Sequence, residues 1–353
     1  MSLPSLAQPF VTGSIATPVG EVPTVSSDLK PTDLWGTFQA RWGVGRMHYK
    51  VDPGLYAVGW PDENAPVLVT ANYKMSFDSL RGSLHGRRAW ILVLDTDGIN
   101  VWCSAGKGTF GTAELVAGIE SSGLPQVVAH RKLILPQLSA PGVAAHRVKE
   151  LSGFRVIYGP VRSQDLPRFM DADLKATPEM RRKTFDLWER MVVIPVELVQ
   201  AFRAIVIVIA LMVLVSALGG PGAFWQNALH YGSAAVVGLL CAVLAGAVLT
   251  PLLLPWLPGR AFSVKGFAVS IPVTAAVVLL GMWYGPRGVH WLEIWAWILI
   301  VPAVTTFLAM NFTGASTYTS LSGVKKEMRW AVPVEIAAGA AGLCFWLASV
   351  FIQ

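Results

Sequence analysis

Along the first 170 residues short apolar runs alternate with amphipathic stretches, and beyond residue 199 the apolar runs lengthen until charge almost disappears. Val67 to Thr70, Trp90 to Leu94, Gln126 to Ala129, Lys132 to Leu135 and Arg155 to Tyr158 have strand length and read as buried strands. Apolar spacing predicts helices through Ser76 to His85, from Thr112 with Glu114 in the first turn and Leu115, Val116 and Ile119 on one face, through Val143 to Leu151, and from Gln164 to Met170. Such alternation implies a mainly parallel sheet covered by helices, an α/β Rossmann-like domain over residues 31–171. Residues 1–30 are rich in Pro, Ser, Thr and Gly without a clear period and read as a loosely held tail. Thr37 to Trp60 reads as a hairpin around Asp52-Pro53-Gly54, and the charged stretch from Ala172 to Arg190 as an amphipathic helix within a linker over 172–198, lying at a membrane surface.

A membrane-crossing helix needs about 20 mostly apolar residues. Residues 199–353 supply five such runs, near 199–218, 232–254, 268–284, 290–310 and 332–352, predicting an all-α transmembrane domain. Pro251, Pro272 and Pro302 fall inside these runs, where local kinks are expected. The composition agrees: 53% hydrophobic and 14% charged residues, with a mean hydropathy of +0.51, exclude an ordinary soluble protein.

Charge changes the picture in one respect. Arg181, Arg182, Lys183 and Arg190 precede the first run, Arg260 and Lys265 follow the second, and Lys325, Lys326 and Arg329 precede the fifth, whereas the alternate loops hold only Arg287. The basic excess predicts a cytoplasmic amino-terminal domain and an outer carboxyl terminus at the cell (inner) membrane, with no cleavable export signal. The net charge of +6 is explained by these flanks and their attraction to a lipid bilayer, so nucleic acid is not an expected partner. Of three cysteines, Cys241 and Cys344 lie in predicted spans as apolar filler, leaving one thiol in the first half. Disulfides and an intrinsic four-thiolate iron-sulfur cluster are therefore not expected.

That thiol stands in the string Asn100-Val101-Trp102-Cys103-Ser104-Ala105-Gly106-Lys107-Gly108, on a strand-to-helix connection of the kind that lines ligand sites at the carboxyl edge of an α/β sheet. Its small residues let backbone approach a large flat ligand. A phosphate loop is excluded, because Val101 stands where its first glycine belongs and Gly108 where Ser or Thr must follow the lysine. None of the six histidines has Asp two positions earlier, so an Asp-x-His-x-x-Gly cobalt-ligand motif is absent from the sequence.

The string and its flanks, Asp95-Thr96-Asp97-Gly98-Ile99 and Thr109-Phe110-Gly111-Thr112, resemble the corrinoid-binding motif of the membrane protein of microbial mercury methylation, and are similar to the large subunit of the corrinoid iron-sulfur protein. Thr70 to Lys74, His130 to Leu138, Ala140 to Val143 and Tyr158 to Arg162 extend the resemblance in the same order. The membrane runs favour the first family, since the second is soluble and carries its own cluster. The resemblance implies an anaerobic corrinoid-dependent methyltransferase that passes methyl to Hg(II) as a carbanion equivalent from methyl-Co(III), making methylmercury. Cys103 would be the lower axial ligand of a base-off, cobalamin-type cofactor. It further implies a ferredoxin-like reductant with two 4Fe-4S clusters and a methyltetrahydrofolate-linked methyl donor system. Asn100, Val101, Trp102, Ser104, Ala105, Gly106, Lys107, Gly108 and Thr109 would surround the corrin, with Trp102 alternatively plain core and Lys107 alternatively solvated. Thr70, Asn72, Gln137, Ala140, Gly142 and Gly159 would line a groove for the nucleotide tail; His130, Arg131 and Lys132 would bind its phosphate or face solvent. His230 and His290 read as interfacial residues rather than metal ligands. Two other functions stay open: a membrane corrinoid methyl carrier with a different acceptor, and a corrinoid-binding receptor or transporter, the latter disfavoured by the few ionisable groups in the spans.

Overall fold

Apolar runs of four to seven residues form seven strands of one mixed sheet: β1 (Val11–Thr17), β2 (Gly20–Val25), β3 (Gly54–Val58), β4 (Val67–Ala71), β5 (Ala89–Leu94), β6 (Lys132–Leu135) and β7 (Arg155–Tyr158), in the order β1-β2-β3-β5-β4-β6-β7. The computed structural model describes residues 3–219, 222–284, 290–315 and 321–352. Two units are distinguished, Met1–Ala40 with Val44–Lys183, and Arg41–Gly43 with Thr184–Gln353.

In the first unit β5, β4, β6 and β7 run parallel, while β3 pairs with β5 antiparallel. Every residue of β4 and β5 is buried, which explains their unbroken apolar sequence. The two-residue side-chain period splits them between two cores. Val67, Val69, Leu92 and Leu94 pack with Leu115, Ile119 and Phe154, and Leu68, Ile91 and Val93 pack with Phe77, Leu80 and Phe169 on the other face. Each such side chain contributes roughly 1.5–3 kcal/mol by leaving water. The connections are α2 (Lys74–Gly82) from β4 to β5, then α3 (Val101–Lys107), α4 (Thr112–Ser121) and α5 (Leu124–Val127) from β5 to β6, and α6 (Ala145–Ser152) from β6 to β7, with α7 (Leu166–Asp171) after it. The chain therefore leaves neighbouring strands β4 and β6 in opposite directions, opening a crevice at their carboxyl ends.

Four expectations need correction. Residues 11–25 are a hairpin, not a loose tail: β2 buries Val22 and Val25 and pairs parallel to β3, so local composition is overridden by tertiary pairing. Pro31–Arg41 is helix α1, and β3, after Asp52-Pro53, pairs with β5 rather than closing a local hairpin. Residues 124–127 form a helical turn instead of a strand, because Gly123 is left-handed and Pro125 suits the first turn of a helix. Residues 172–186 hold only a short 3-10 turn at Glu179–Arg181, and the residues given to a surface linker helix continue from Leu187 into the first long apolar helix.

An ionic clasp joins α1 and α2. Lys74 Nζ lies 2.8 Å from Asp33 Oδ1 and 2.6 Å from Asp78 Oδ2, and Arg81 is 2.8 Å from each carboxylate. Arg81 also donates to the carbonyl of Ser26 at 2.6 Å, anchoring the exit of β2. Two cations balance two carboxylates, which is what permits Arg81 to be fully buried.

The second unit holds α8 (Leu187–Gly219), α9 (Phe224–Asn227), α10 (Ser233–Leu244), α11 (Thr250–Leu253), α12 (Phe262–Tyr284), α13 (Trp291–Asn311) and α14 (Leu321–Phe351). A π turn, Ala245–Leu249, joins α10 to α11 just before Pro251. Five of these stretches are long and apolar enough to cross a membrane. Glycine lets them touch: a Cβ on Gly238 would meet the Trp297 ring, and one on Gly266 would meet Ala309 and Thr306. Arg287 lies outside the described residues.

Burial alone would raise the Asp33 carboxyl, but the bonds it accepts from Lys74, the Lys30 backbone and Arg81 outweigh burial and hold it below its ordinary 3.8. Its stabilisation is thus complete above the ordinary value and is lost as pH falls through the depressed one. Asp33→Asn is expected to cost about 2 kcal/mol at pH 7, roughly 30-fold faster hydrogen exchange in α1 and α2, with the difference from wild type vanishing in acid.

Candidate functional site

The site is built at the carboxyl edge of β5 and β4. Leaving β5, the chain turns through Asp97 and Gly98, both left-handed, and this turn is wrapped around the buried side chain of Asn72. Asn72 Oδ1 accepts from the backbone N–H of Thr96 at 3.1 Å and of Gly98 at 2.9 Å, and its amide donates to Asp95 Oδ1 at 2.8 Å. Asn100 then caps α3, its Oδ1 accepting from the Cys103 N–H at 2.9 Å. Gly108, at φ 90°, ends the helix.

Helical spacing divides the string into two faces. Val101, Ser104 and Ala105 point inward and are buried; Ser104 Oγ donates to the Asn100 carbonyl at 2.7 Å. Cys103, Gly106 and Lys107 share the outer face and are exposed, and Trp102 is half-buried. Cys103 is thus in the first turn of a short helix rather than in an open glycine turn. A Cβ placed on Gly106 or Gly108 would meet nothing within 4 Å, so the surface beside the thiol is bare. The Thr109 hydroxyl at the end of this helix is buried without a hydrogen-bond partner. An exposed thiol, an unobstructed glycine face and an orphan hydroxyl in sequence fit a large flat ligand carrying a metal and polar side chains.

The β6 exit forms a neighbouring wall. Gly142 lies so close to the Phe110 and Ala105 carbonyls that a side chain there would displace α3. Gln137 Oε1 accepts from Arg181 at 2.7 Å, and Tyr158 donates its hydroxyl to the Val143 carbonyl at 2.5 Å. Burial pushes the Tyr158 phenol above its ordinary value and keeps it a donor.

The sheet edge accordingly gathers Cys103, Gly106, Lys107, Gly108, Thr109, Gln137, Ala140 and Gly142. Thr70 and Asn72 are buried, and Asn72 serves the loop rather than a groove. Gly159 is also buried; its N–H donates to Leu135, and a Cβ there would crowd Ile134. His130 and Arg131 precede β6 and Lys132 begins it, so all three stand at the opposite, amino-terminal edge. His130 Nε2 lies 2.9 Å from the Ala65 carbonyl, and Arg131 donates to the Val128 and Pro125 carbonyls and covers the Phe154 ring. A role for these three at the Cys103 edge is therefore withdrawn. His290 caps α13, accepting from the Leu292 N–H at 3.3 Å, while the side chain of His230 lies outside the described residues. Cys241 packs among apolar side chains and Cys344 is exposed. Sequence patterning missed Tyr158 and Arg181, whose partners are distant in sequence and carry no local signal.

Removing the cap tests this construction locally. Asn100→Ala is expected to cost about 1 kcal/mol, read as roughly fivefold faster hydrogen exchange within α3 and unchanged exchange in β4 and β5.

Comparison with known proteins gives the domain its relatives. Residues 43–170 match the family described as CO dehydrogenase/acetyl-CoA synthase delta subunit. An acetyl-CoA decarbonylase/synthase complex subunit gamma from Methanopyrus kandleri is 35% identical over 130 residues, covering 36% of this chain and 28% of that protein. The subunit gamma of Methanothermobacter thermautotrophicus is 29% identical over 189 residues, covering 48% and 41%. The corrinoid/iron-sulfur protein large subunit of Moorella thermoacetica is 28% identical over 127 residues, covering 35% and 28%. This chain spans less than half the length of each of these relatives, and through its α/β domain it is related to the large subunit of the corrinoid iron-sulfur protein.

Proposed function

We propose that this chain is a membrane-anchored corrinoid protein that transfers methyl to Hg(II), with Cys103 as the axial ligand to cobalt. The observation that carries the reading is the outer face of α3: the thiol is exposed beside two glycines with open space before them, on a domain related to corrinoid proteins. A corrinoid held there would supply a cobalt-bound methyl group for transfer. Cys103 would hold the metal as thiolate, the ligating form of the residue. Gly106 and Gly108 leave room for the macrocycle, and Asn100 and Asn72 fix the thiol's position through the cap and the loop. Thr109, Lys107, Gln137 and Ala140 would meet the corrin's amide side chains or its tail.

A sulfur donor would favour transfer of methyl with its bonding pair to an electrophile such as Hg(II). The same donor would oppose full reduction of the metal, so recharging would call for a strong reductant. With three cysteines in the sequence, one of them in the first unit, the electrons are assigned to a partner, a ferredoxin-like protein with two 4Fe-4S clusters. Methyl is assigned to a methyltetrahydrofolate-linked donor. The basic flanks assign the first unit to the cytoplasmic side of the membrane.

A second reading is favoured by the comparisons, since the named relatives are subunits of acetyl-CoA decarbonylase/synthase complexes: a membrane-bound methyl carrier with another acceptor. Anaerobic assays of wild type and Cys103→Ala with Hg(II) separate the two. Methylmercury is expected from wild type and is expected to fall to background in the variant, with the visible spectrum of bound corrinoid altered by loss of sulfur. Corrinoid binding without methylmercury in the wild type would favour the carrier; an unaltered cobalt spectrum in Cys103→Ala would reject sulfur ligation.

A further inference from the structure

Helix α1 has its polarity reversed. The face turned toward the domain is polar or small: Asp33 in the ionic clasp, Gly36 against the ring of Tyr49, Thr37 with its hydroxyl 3.5 Å from that of Tyr49, and Ala40. The face turned outward carries Leu34 and Trp35, 58% and 60% exposed, and Phe38, whose ring stacks on Trp35 with centroids 5.2 Å apart. The following loop adds Val44 and Met47, 60% and 71% exposed. A globular helix turns such a stripe inward, and a contiguous apolar patch on a surface marks an interaction site.

We propose that this face is an interfacial anchor that inserts into the headgroup region of a lipid bilayer. Three observations select lipid over a protein partner. Trp35 and Phe38, lying with Leu34 on one side of the helix and followed by Val44 and Met47 in the loop, are the kind of aromatic and aliphatic side chains that settle at the boundary between headgroups and acyl chains. Charge complements that surface: Lys30 and Lys50 are exposed at the two ends of this segment, and the one acid between them, Asp33, is neutralised by Lys74 and Arg81. Anionic headgroups attract such a set. The sequence also brings a bilayer within reach, because the first of the five long apolar helices begins at Leu187, four residues after the first unit ends at Lys183.

The test uses the full chain reconstituted in vesicles, with the photoreactive residue p-benzoylphenylalanine at Trp35 or at Met47, and at the exposed Arg147 of α6 as control. In phosphatidylcholine vesicles containing phosphatidylglycerol, mass spectrometry is expected to find lipid adducts at positions 35 and 47 about tenfold above position 147, falling in pure phosphatidylcholine and at high salt. All three positions are exposed, so the probes leave the packed core untouched. Lipid adducts at 35 and 47 no higher than at 147, or crosslinks there to a second polypeptide in place of lipid, would overturn the proposal. Neither outcome depends on corrinoid or mercury.

Discussion

The amide of Asn72 is the constraint on which the candidate site depends. It sits at the end of β4, yet its bonds go almost wholly to the chain leaving β5: the N–H groups of Thr96 and Gly98, and the carboxylate of Asp95. The turn needs left-handed backbone at Asp97 as well as Gly98, a conformation that a non-glycine residue adopts at some cost. A buried amide that accepts from Thr96 and Gly98 and donates to Asp95 offsets that cost, and leaving its partners unpaired would add several kcal/mol against the loop. The loop in turn sets where Asn100 caps α3, and the cap sets where Cys103 emerges. A thiol at the surface is therefore positioned from within the sheet.

The division of α3 into two faces has a physical consequence for what each residue can be. Val101, Ser104 and Ala105 are held by packing and by hydrogen bonds to their own helix, so their identity is dictated by fold. Cys103, Gly106 and Gly108 make no comparable contribution to packing. Gly106 in particular is a poor choice for the interior of a helix, about 1 kcal/mol worse than alanine. Its presence there is not explained by packing, since nothing lies within 4 Å of a Cβ at this position.

Strands with continuous apolar runs and helices with clear period were legible in the sequence, because their identity depends on burial that local pattern reports; β4, β5, β6 and β7 emerge at or within a residue of the expected limits. The failures have two causes. β2 and β3 are strands because each finds a partner far away in sequence, and nothing in the Pro- and Thr-rich composition near residue 24 announces a parallel neighbour at Ala57. The strand expected at Gln126 became a helical turn because Gly123 and Pro125 dictate backbone angles more strongly than the apolar pair Val127 and Val128. The same holds at the site. Cys103 and its glycines were visible as a local string, whereas the tasks of Asn72, Gly142 and Gly159 are set by backbones of other strands and loops, and sequence pattern assigned them to a groove instead.

Basic residues also do two things at once in the second unit. Arg190 and Lys265 belong to the flanks from which a topology is inferred, yet each spends its donors on main-chain oxygens: Arg190 on those of Pro251 and Leu252, Lys265 on those of Leu254 and Leu257. These carbonyls end the α10–α11 stretch, where the helix leaves its last acceptors without intrahelical partners. In an apolar setting such carbonyls need donors, and a long basic side chain supplies them while its own charge is solvated by the same oxygens. Part of the positive charge beside this span is thus a structural requirement of ending a helix near a membrane boundary.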